Sequence, residues 1–141
     1  MGIHSYTAGT PYTITASTDF SNTGGSARPN AVLGVSTEPP GGRSRQQWFN
    51  PAAFTNPASG QFGNVGRNTV TGPSVVAIDF SLFKNFPINE RVRFQLRAEA
   101  FNLINHPNFT SLSTTYDASN AGQLNAALAA RQIQLALKLL F

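Results

Sequence analysis

Acid–base or metal chemistry in this chain of 141 residues would have to run through two histidines and six carboxylates, because there is no cysteine. Disulfide frameworks, thiolate metal sites and cysteine nucleophiles are therefore excluded. His4 and His106 lie far apart in sequence. Neither stands in a His-x-x-x-His spacing or among carboxylates, so no metal ligand or catalytic base is expected at either. Asp79 and Glu99 could be posed as a general acid and base, but nothing in the sequence marks a nucleophile, a pocket or a cofactor beside them. Gly63, Gly66 and Gly72 hint at a phosphate loop. No Gly-Lys-Ser/Thr follows them and no strand-to-helix context surrounds them, so that reading is rejected. The sequence points to no enzyme, no cofactor and no metal.

The charges themselves are sparse. Charged residues make up 11% of the chain, against roughly 25% in soluble domains. Ten Lys+Arg against six Asp+Glu give a net charge of +4. The basic residues form no run of five or more, so a nucleic-acid partner is not expected. Polarity comes instead from Ser, Thr, Asn, Gln and Gly, and with eleven Phe this mixture favours β structure and long turns. The length suffices for one domain with a core. No apolar run approaches the ~20 residues of a transmembrane helix. Met1-Gly2-Ile3-His4 has neither the basic start nor the apolar core of a signal peptide; if the protein lies outside the cytoplasm, its export signal is missing from this chain.

The elements that must carry these residues read as strands. In the last eleven residues, Ile133, Leu135, Leu137, Leu139 and Phe141 fall on one face. Gln132, Gln134, Ala136 and Lys138 fall on the other. Val76, Ile78, Phe80 and Leu82 alternate in the same way against Ala77, Asp79, Ser81 and Asn85, with Phe83 out of step. Pro87-Ile88-Asn89-Glu90 makes a tight turn. Beyond it Val92, Phe94, Leu96, Ala98 and Ala100 oppose Arg91, Arg93, Gln95, Arg97 and Glu99. A fourth strand is expected within 2–16, bent near Gly9 and Pro11. The spacing thus predicts strands at about 2–16, 75–86, 91–105 and 131–141, joined by long loops at 17–74 and 106–130. Asn120-Ala121-Gly122-Gln123 resembles a helix N-cap, and Leu124, Ala127 and Leu128 follow at helical spacing. That pattern allows one short helix before the last strand.

Asp79, Arg91, Arg93, Arg97, Glu99 and Lys138 are expected to share the polar faces of adjacent strands. There they would either line a lumen or form a structural charge ladder worth ~0.2–1 kcal/mol per good pair. The ladder is the reading preferred. Nine Gly and six Pro interrupt residues 17–74, yet Trp48, Phe49, Phe54 and Phe62 lie within fifteen residues of one another. Such a cluster could be a platform for a carbohydrate or a siderophore, but the small core of an ordered loop explains it better.

Several stretches carry a family resemblance. They are Ser5-Tyr6-Thr7-Ala8-Gly9-Thr10-Pro11-Tyr12-Thr13, Gln47-Trp48-Phe49-Asn50-Pro51-Ala52-Ala53-Phe54 and Phe62-Gly63-Asn64-Val65-Gly66-Arg67-Asn68. Asp79-Phe80-Ser81-Leu82-Phe83-Lys84-Asn85-Phe86, the run from Arg97-Ala98-Glu99-Ala100-Phe101-Asn102 to His106-Pro107-Asn108-Phe109, and the terminal Arg131 to Phe141 complete the set. Together they resemble the C-terminal end of a TonB-dependent outer-membrane transporter of the Oar-like group, which carries a carboxypeptidase-regulatory-like domain. The resemblance implies an all-β chain: an antiparallel up-and-down meander of about four strands, forming part of a transmembrane barrel over residues 1–141. It implies a place in the outer membrane of a Gram-negative bacterium and partners in membrane lipid, the rest of the barrel and its plug. The assembly machinery would read Ile133, Leu135, Leu137, Leu139 and Phe141, and the energy-coupling inner-membrane complex would act only through parts outside this chain. Four strands cannot close a barrel, so the chain is expected to be a piece of a transporter, contributing to nutrient uptake as wall. In that bacterial setting the sequon Asn108-Phe109-Thr110 means little. The rival expectation is a stand-alone sheet that self-associates through its apolar face.

Overall fold

The computed structural model describes residues 1–25 and 27–141. Among the described residues ten strands occur: β1 (Gly2–Thr7), β2 (Pro11–Tyr12), β3 (Asn30–Ala31), β4 (Phe54–Thr55) and β5 (Val70–Thr71), then β6 (Val75–Pro87), β7 (Arg93–Phe101), β8 (Phe109–Leu112), β9 (Leu124–Ala127) and β10 (Gln132–Leu140). They fall into two compact units. One contains Met1–Ala8, Ser74–Asn108 and Leu128–Phe141; the other contains Gly9–Pro73 and Phe109–Ala127.

The first unit is a four-stranded antiparallel sheet in the order β1-β6-β7-β10, the meander expected from the sequence. Asn89 makes the turn between β6 and β7. Its side-chain oxygen accepts the Arg91 and Val92 N–H groups at 3.0 and 2.8 Å, holding a chain reversal that Pro87 starts. Where β7 ends, the backbone enters the left-handed region at Asn102 (φ 50°) and Asn105 (φ 54°), which asparagine tolerates best among residues with a side chain. The third strand therefore stops at Phe101, four residues before the expected 105.

The second unit gathers the long connections, and it has an interior. Ile14, Phe49, Ala53, Phe54, Val65, Val70, Leu112 and Leu124 form its buried cluster. Ladders β2–β5, β3–β4 and β8–β9 and a bridge between Thr15 and Thr115 tie its segments together. The strand expected over 2–16 is thus divided between the units. At Gly9 a Cβ would stand 1.9 Å from the Gly72 carbonyl oxygen, so only glycine lets the two backbones pass.

The short helix allowed near 120–128 does not form. Gly122 sits at φ 77°, its N–H donates to the Ser113 carbonyl at 3.0 Å, and its own carbonyl accepts the Trp48 N–H at 2.7 Å. Those bonds commit the segment to pair with other chain segments, and Leu124–Ala127 becomes a strand against Phe109–Leu112. The apolar residues at helical spacing were misleading because Leu124 is buried while Ala127 and Leu128 are exposed.

Candidate functional site

The register of the four-stranded sheet decides which side chains act together. Phe80, Leu82 and Phe86 of β6 face Ala100, Ala98 and Phe94 of β7. These in turn face Ile133, Leu135 and Leu139 of β10, with Leu96 facing Leu137. On the β1 side, Tyr6 and His4 pair with Val76 and Ile78. One face of the sheet is therefore almost wholly apolar. Its side chains are not packed away: Leu135 is 74% exposed, Leu137 67% and Phe141 96%. Among the described residues of this unit only Asn102 and Asn108 are buried. A sheet whose apolar side chains stay uncovered in the folded chain is built to meet something other than water.

The apolar face is graded along its length, a feature the linear sequence hides because register creates it. Tyr6 stands at one end, beside Val76. Phe86 and Phe94 stand at the other, their rings 6.4 Å apart and tilted by 43°. Aliphatic residues fill the middle. Ten residue steps separate Val76 from Phe86, about 33 Å along a strand, which at a tilt of ~40° projects to the ~25 Å apolar band of outer-membrane barrels between aromatic girdles. Lys84 shares this face near the turn end, its ammonium 5.2 Å from the centre of the Phe86 ring. A long side chain there can lay its stem on apolar surface and lift its charge to the boundary.

The opposite face carries the polar residues. Asp79, Ser81 and Asn85 lie on it from β6, Arg93, Gln95, Arg97 and Glu99 from β7, and Gln134 and Lys138 from β10. Arg91 lies in the turn before β7 begins and so leaves that face. The expected cross-strand charge ladder is not what binds these residues. Arg97 faces Phe83 and Ala136, Glu99 faces Ser81 and Gln134, and Lys138 faces Gln95, so no opposite charges stand directly across a rung. The contact that does form is Arg97 with Glu99 along a single strand at 3.8 Å, half exposed, and such pairs contribute little. Gln95 Nε2 donates to Asn85 Oδ1 at 2.8 Å. Phe83, out of step in the sequence, is simply an exposed ring on the polar side.

Asp79 has a structural partner. Its Oδ1 accepts the Asn102 N–H at 2.9 Å, capping the end of β7. Asp79 and Glu99, posed together from the sequence, line one shallow hollow of about 170 Å³ with Met1, Ile3 and Phe101. The two histidines remain apart in role. His4 lies on β1, whereas His106 places Nδ1 3.0 Å from Asn108 Oδ1. Asn108 in turn replaces a neighbouring strand for Val76, accepting its N–H at 2.8 Å and donating Nδ2 to its carbonyl at 2.7 Å. Sequence reading took Asn108 only as part of a turn; a buried asparagine spanning one peptide unit leaves no linear signal.

In the loop unit, Phe49 and Phe54 meet edge to face at 5.8 Å inside the core. Trp48 packs against that core, donates Nε1–H to the Thr71 carbonyl at 2.8 Å, and carries the Arg43 guanidinium 5.4 Å above its ring. Phe62 does not join them. It is 73% exposed, so the expected four-membered cluster has three members. Tyr116, unremarked in the sequence, extends the aromatic contact to Phe54 and donates its hydroxyl to Asn56. Burial first, and then the neighbouring Asp117 charge, raise its hydroxyl above the ordinary 10.0.

Residues 1–134 match a family model described as an outer membrane beta barrel domain. No curated protein and no solved structure matches the chain.

Proposed function

The chain belongs to the outer membrane beta barrel domain family, and on that premise we propose that it is a wall segment of a TonB-dependent receptor for nutrient uptake. The observation that carries the wall reading is the uncovered apolar face, with aromatic residues at its two ends. In this reading Tyr6, Phe86 and Phe94 meet the two lipid boundaries, and the aliphatic residues between them meet hydrocarbon. Asp79, Arg93, Arg97, Glu99 and Lys138 face the lumen, where water and a plug domain satisfy them. The short turn at 87–92 is read as periplasmic and the long connections 17–74 and 106–130 as external, the asymmetry usual in such barrels. β10, with Ile133, Leu135, Leu137, Leu139 and Phe141 on one side, is the strand offered to the assembly machinery. Strand addition along its open edge is the physical means of capture. The proposal assigns the chain no catalytic step. TonB dependence and nutrient uptake rest on the resemblance of the sequence motifs.

A pair of substitutions on neighbouring residues tests the wall reading. Leu135→Arg puts a charge on the apolar face, mid-way along it, and Gln134→Arg puts the same charge on the polar one, opposite Glu99. Near the bilayer midplane the first costs about 2–4 kcal/mol and the second is close to neutral. The measurement is the fraction of chain inserted in lipid vesicles, resolved by resistance to urea extraction. Equal tolerance of both, or greater harm from the charge at 134, overturns the reading. So does a purified chain that stays monomeric in buffer without detergent; a soluble oligomer under those conditions would instead support self-association through the apolar face.

A further inference from the structure

A concavity of about 180 Å³ in the loop unit is lined by Ser21, Thr23, Arg28, Gln61, Phe62 and Arg67, none of which the wall reading uses. Its walls are fixed by main-chain bonds. Asp19 braces one of them, accepting the N–H groups of Ser21, Thr23 and Gly24 at 3.0, 2.9 and 2.7 Å and the Ser21 hydroxyl at 2.6 Å. The other is clamped to it where the Gly60 N–H donates to the Phe20 carbonyl at 2.7 Å. At Gly63 the two segments come so close that a Cβ would lie 1.9 Å from the Arg28 carbonyl oxygen. Arg28 itself is oriented by a bond from Nη1 to the Val65 carbonyl at 3.0 Å.

The lining combines three kinds of recognition. Among the described residues the ion pairs join Arg43 to Glu38 and Arg97 to Glu99, so neither Arg28 nor Arg67 is neutralised by a carboxylate. Asp19 has both oxygens engaged by its own turn. Guanidinium groups in that condition suit a carboxylate bound through paired hydrogen bonds. The Gln61 amide can exchange hydrogen bonds with ring hydroxyls, and the hydroxyls of Ser21 and Thr23, bonded to each other at 2.9 Å while Ser21 donates to Asp19, can accept from them. The exposed Phe62 ring offers a flat apolar surface to the C–H face of a pyranose. The volume falls below the ~300–1,000 Å³ of pockets for drug-sized ligands, which suits one sugar ring and is too small for a nucleotide.

We propose that this concavity binds a single carboxylated sugar residue, its carboxylate on Arg28 and Arg67 and its ring against Phe62. The inference goes beyond the wall reading and does not depend on it, since the site lies wholly within the loop unit. The test uses the full chain in detergent micelles, titrated separately with D-glucuronate, D-glucose and inorganic phosphate while the Gly63 amide resonance is followed. Glucuronate is expected to saturate at about millimolar Kd, with glucose, which lacks the carboxylate, and phosphate, which lacks the ring, each about tenfold weaker. Arg67→Gln and Phe62→Ala alter exposed side chains, and unchanged emission from Trp48 will show the fold intact. Each is expected to weaken glucuronate at least about fivefold. No saturation by glucuronate, equal affinity for glucose, equal affinity for phosphate, or wild-type binding by both variants overturns the proposal. Failure here leaves the vesicle result for Leu135→Arg standing, so the two readings fall separately.

Discussion

The two units of this chain apply the hydrophobic effect in opposite ways. The loop unit, punctuated by glycine and proline and poor in long strands, encloses a core in which Ile14 and Phe49 are fully buried, while Leu33 and Phe62 stay outside it. The sheet unit, made of the longest and most regular strands, hides almost none, and what it buries are two asparagines, Asn102 and Asn108. In water the usual relation is the reverse, with regular elements enclosing the core and loops lying exposed over them. The inversion follows if the two units have different surroundings. A segment standing in water must carry its own interior, and a segment standing in hydrocarbon finds that interior in the solvent.

The largest effect expected from this contrast concerns Phe49 and Leu135, both large apolar residues. Phe49→Ala removes a ring that is 0% exposed and touches Phe54 edge to face. It is expected to destabilise the loop unit by about 3–5 kcal/mol. Leu135→Ala truncates a side chain already open to the surroundings and is expected to change stability in micelles by less than about 0.5 kcal/mol. Urea titration followed by emission of Trp48, the single tryptophan, reads the first. Urea titration followed by far-ultraviolet circular dichroism reads the second. Comparable losses from the two substitutions would mean that the sheet has an interior after all.

How much of this was legible beforehand divides along the same line. The sheet was readable because its strands keep strict alternation: Val92 to Ala100 and Ile133 to Phe141 announce their faces residue by residue, and the meander follows from the turn at Pro87-Ile88-Asn89. Strand ends were less visible, since β7 stops where Asn102 turns left-handed, not where its composition changes. The loop unit was legible only as an aromatic cluster needing partners. Its core draws on Ile14, Val65, Leu112 and Leu124, which are scattered over more than a hundred positions and carry no common period. Phe62 was misassigned for that reason: it is near Phe54 in sequence, and sequence distance says nothing about which loop residues turn inward. Alternation assigned the polar face, Arg91 included, but strand bounds and pairing needed the register, which left Arg91 in the turn and turned an imagined charge ladder into Arg97 opposite Phe83.

A smaller effect sharpens the same contrast from the sheet side. With no apolar core, the sheet unit depends for local order on polar groups at its ends, and Asn108 is the clearest of them. Asn108→Ala leaves the N–H and carbonyl of Val76 without the partners they have now. Losing them is expected to cost about 1–3 kcal/mol, the penalty for unpaired groups in a partly buried place. Amide hydrogen exchange at Val76 measures it directly and should accelerate by about tenfold or more. Unchanged exchange would show that the side-chain amide contributes nothing to the sheet end.

The smallest effect lies in the loop unit and is a titration. The Ser21 hydroxyl donating to Asp19 holds that carboxyl below its ordinary 3.8, and the N–H groups of Gly24, Ser21 and Thr23 push in the same direction against a partial desolvation. A carboxyl whose folded value is depressed contributes its stabilisation above the ordinary value and loses it as pH falls through the folded one. The turn at 19–24 is therefore expected to hold unchanged from neutral pH down to about pH 4 and to loosen only below it. Amide resonances of Thr23 and Gly24 should move with a midpoint under 3.8, and Asp19→Asn should abolish that movement. The Leu137 resonance, on a sheet rung with Leu96, is the internal reference. If the loop resonances titrate at or above the ordinary carboxyl value, the donors around Asp19 are not aligned on the charge, and the brace they form for the neighbouring concavity is absent.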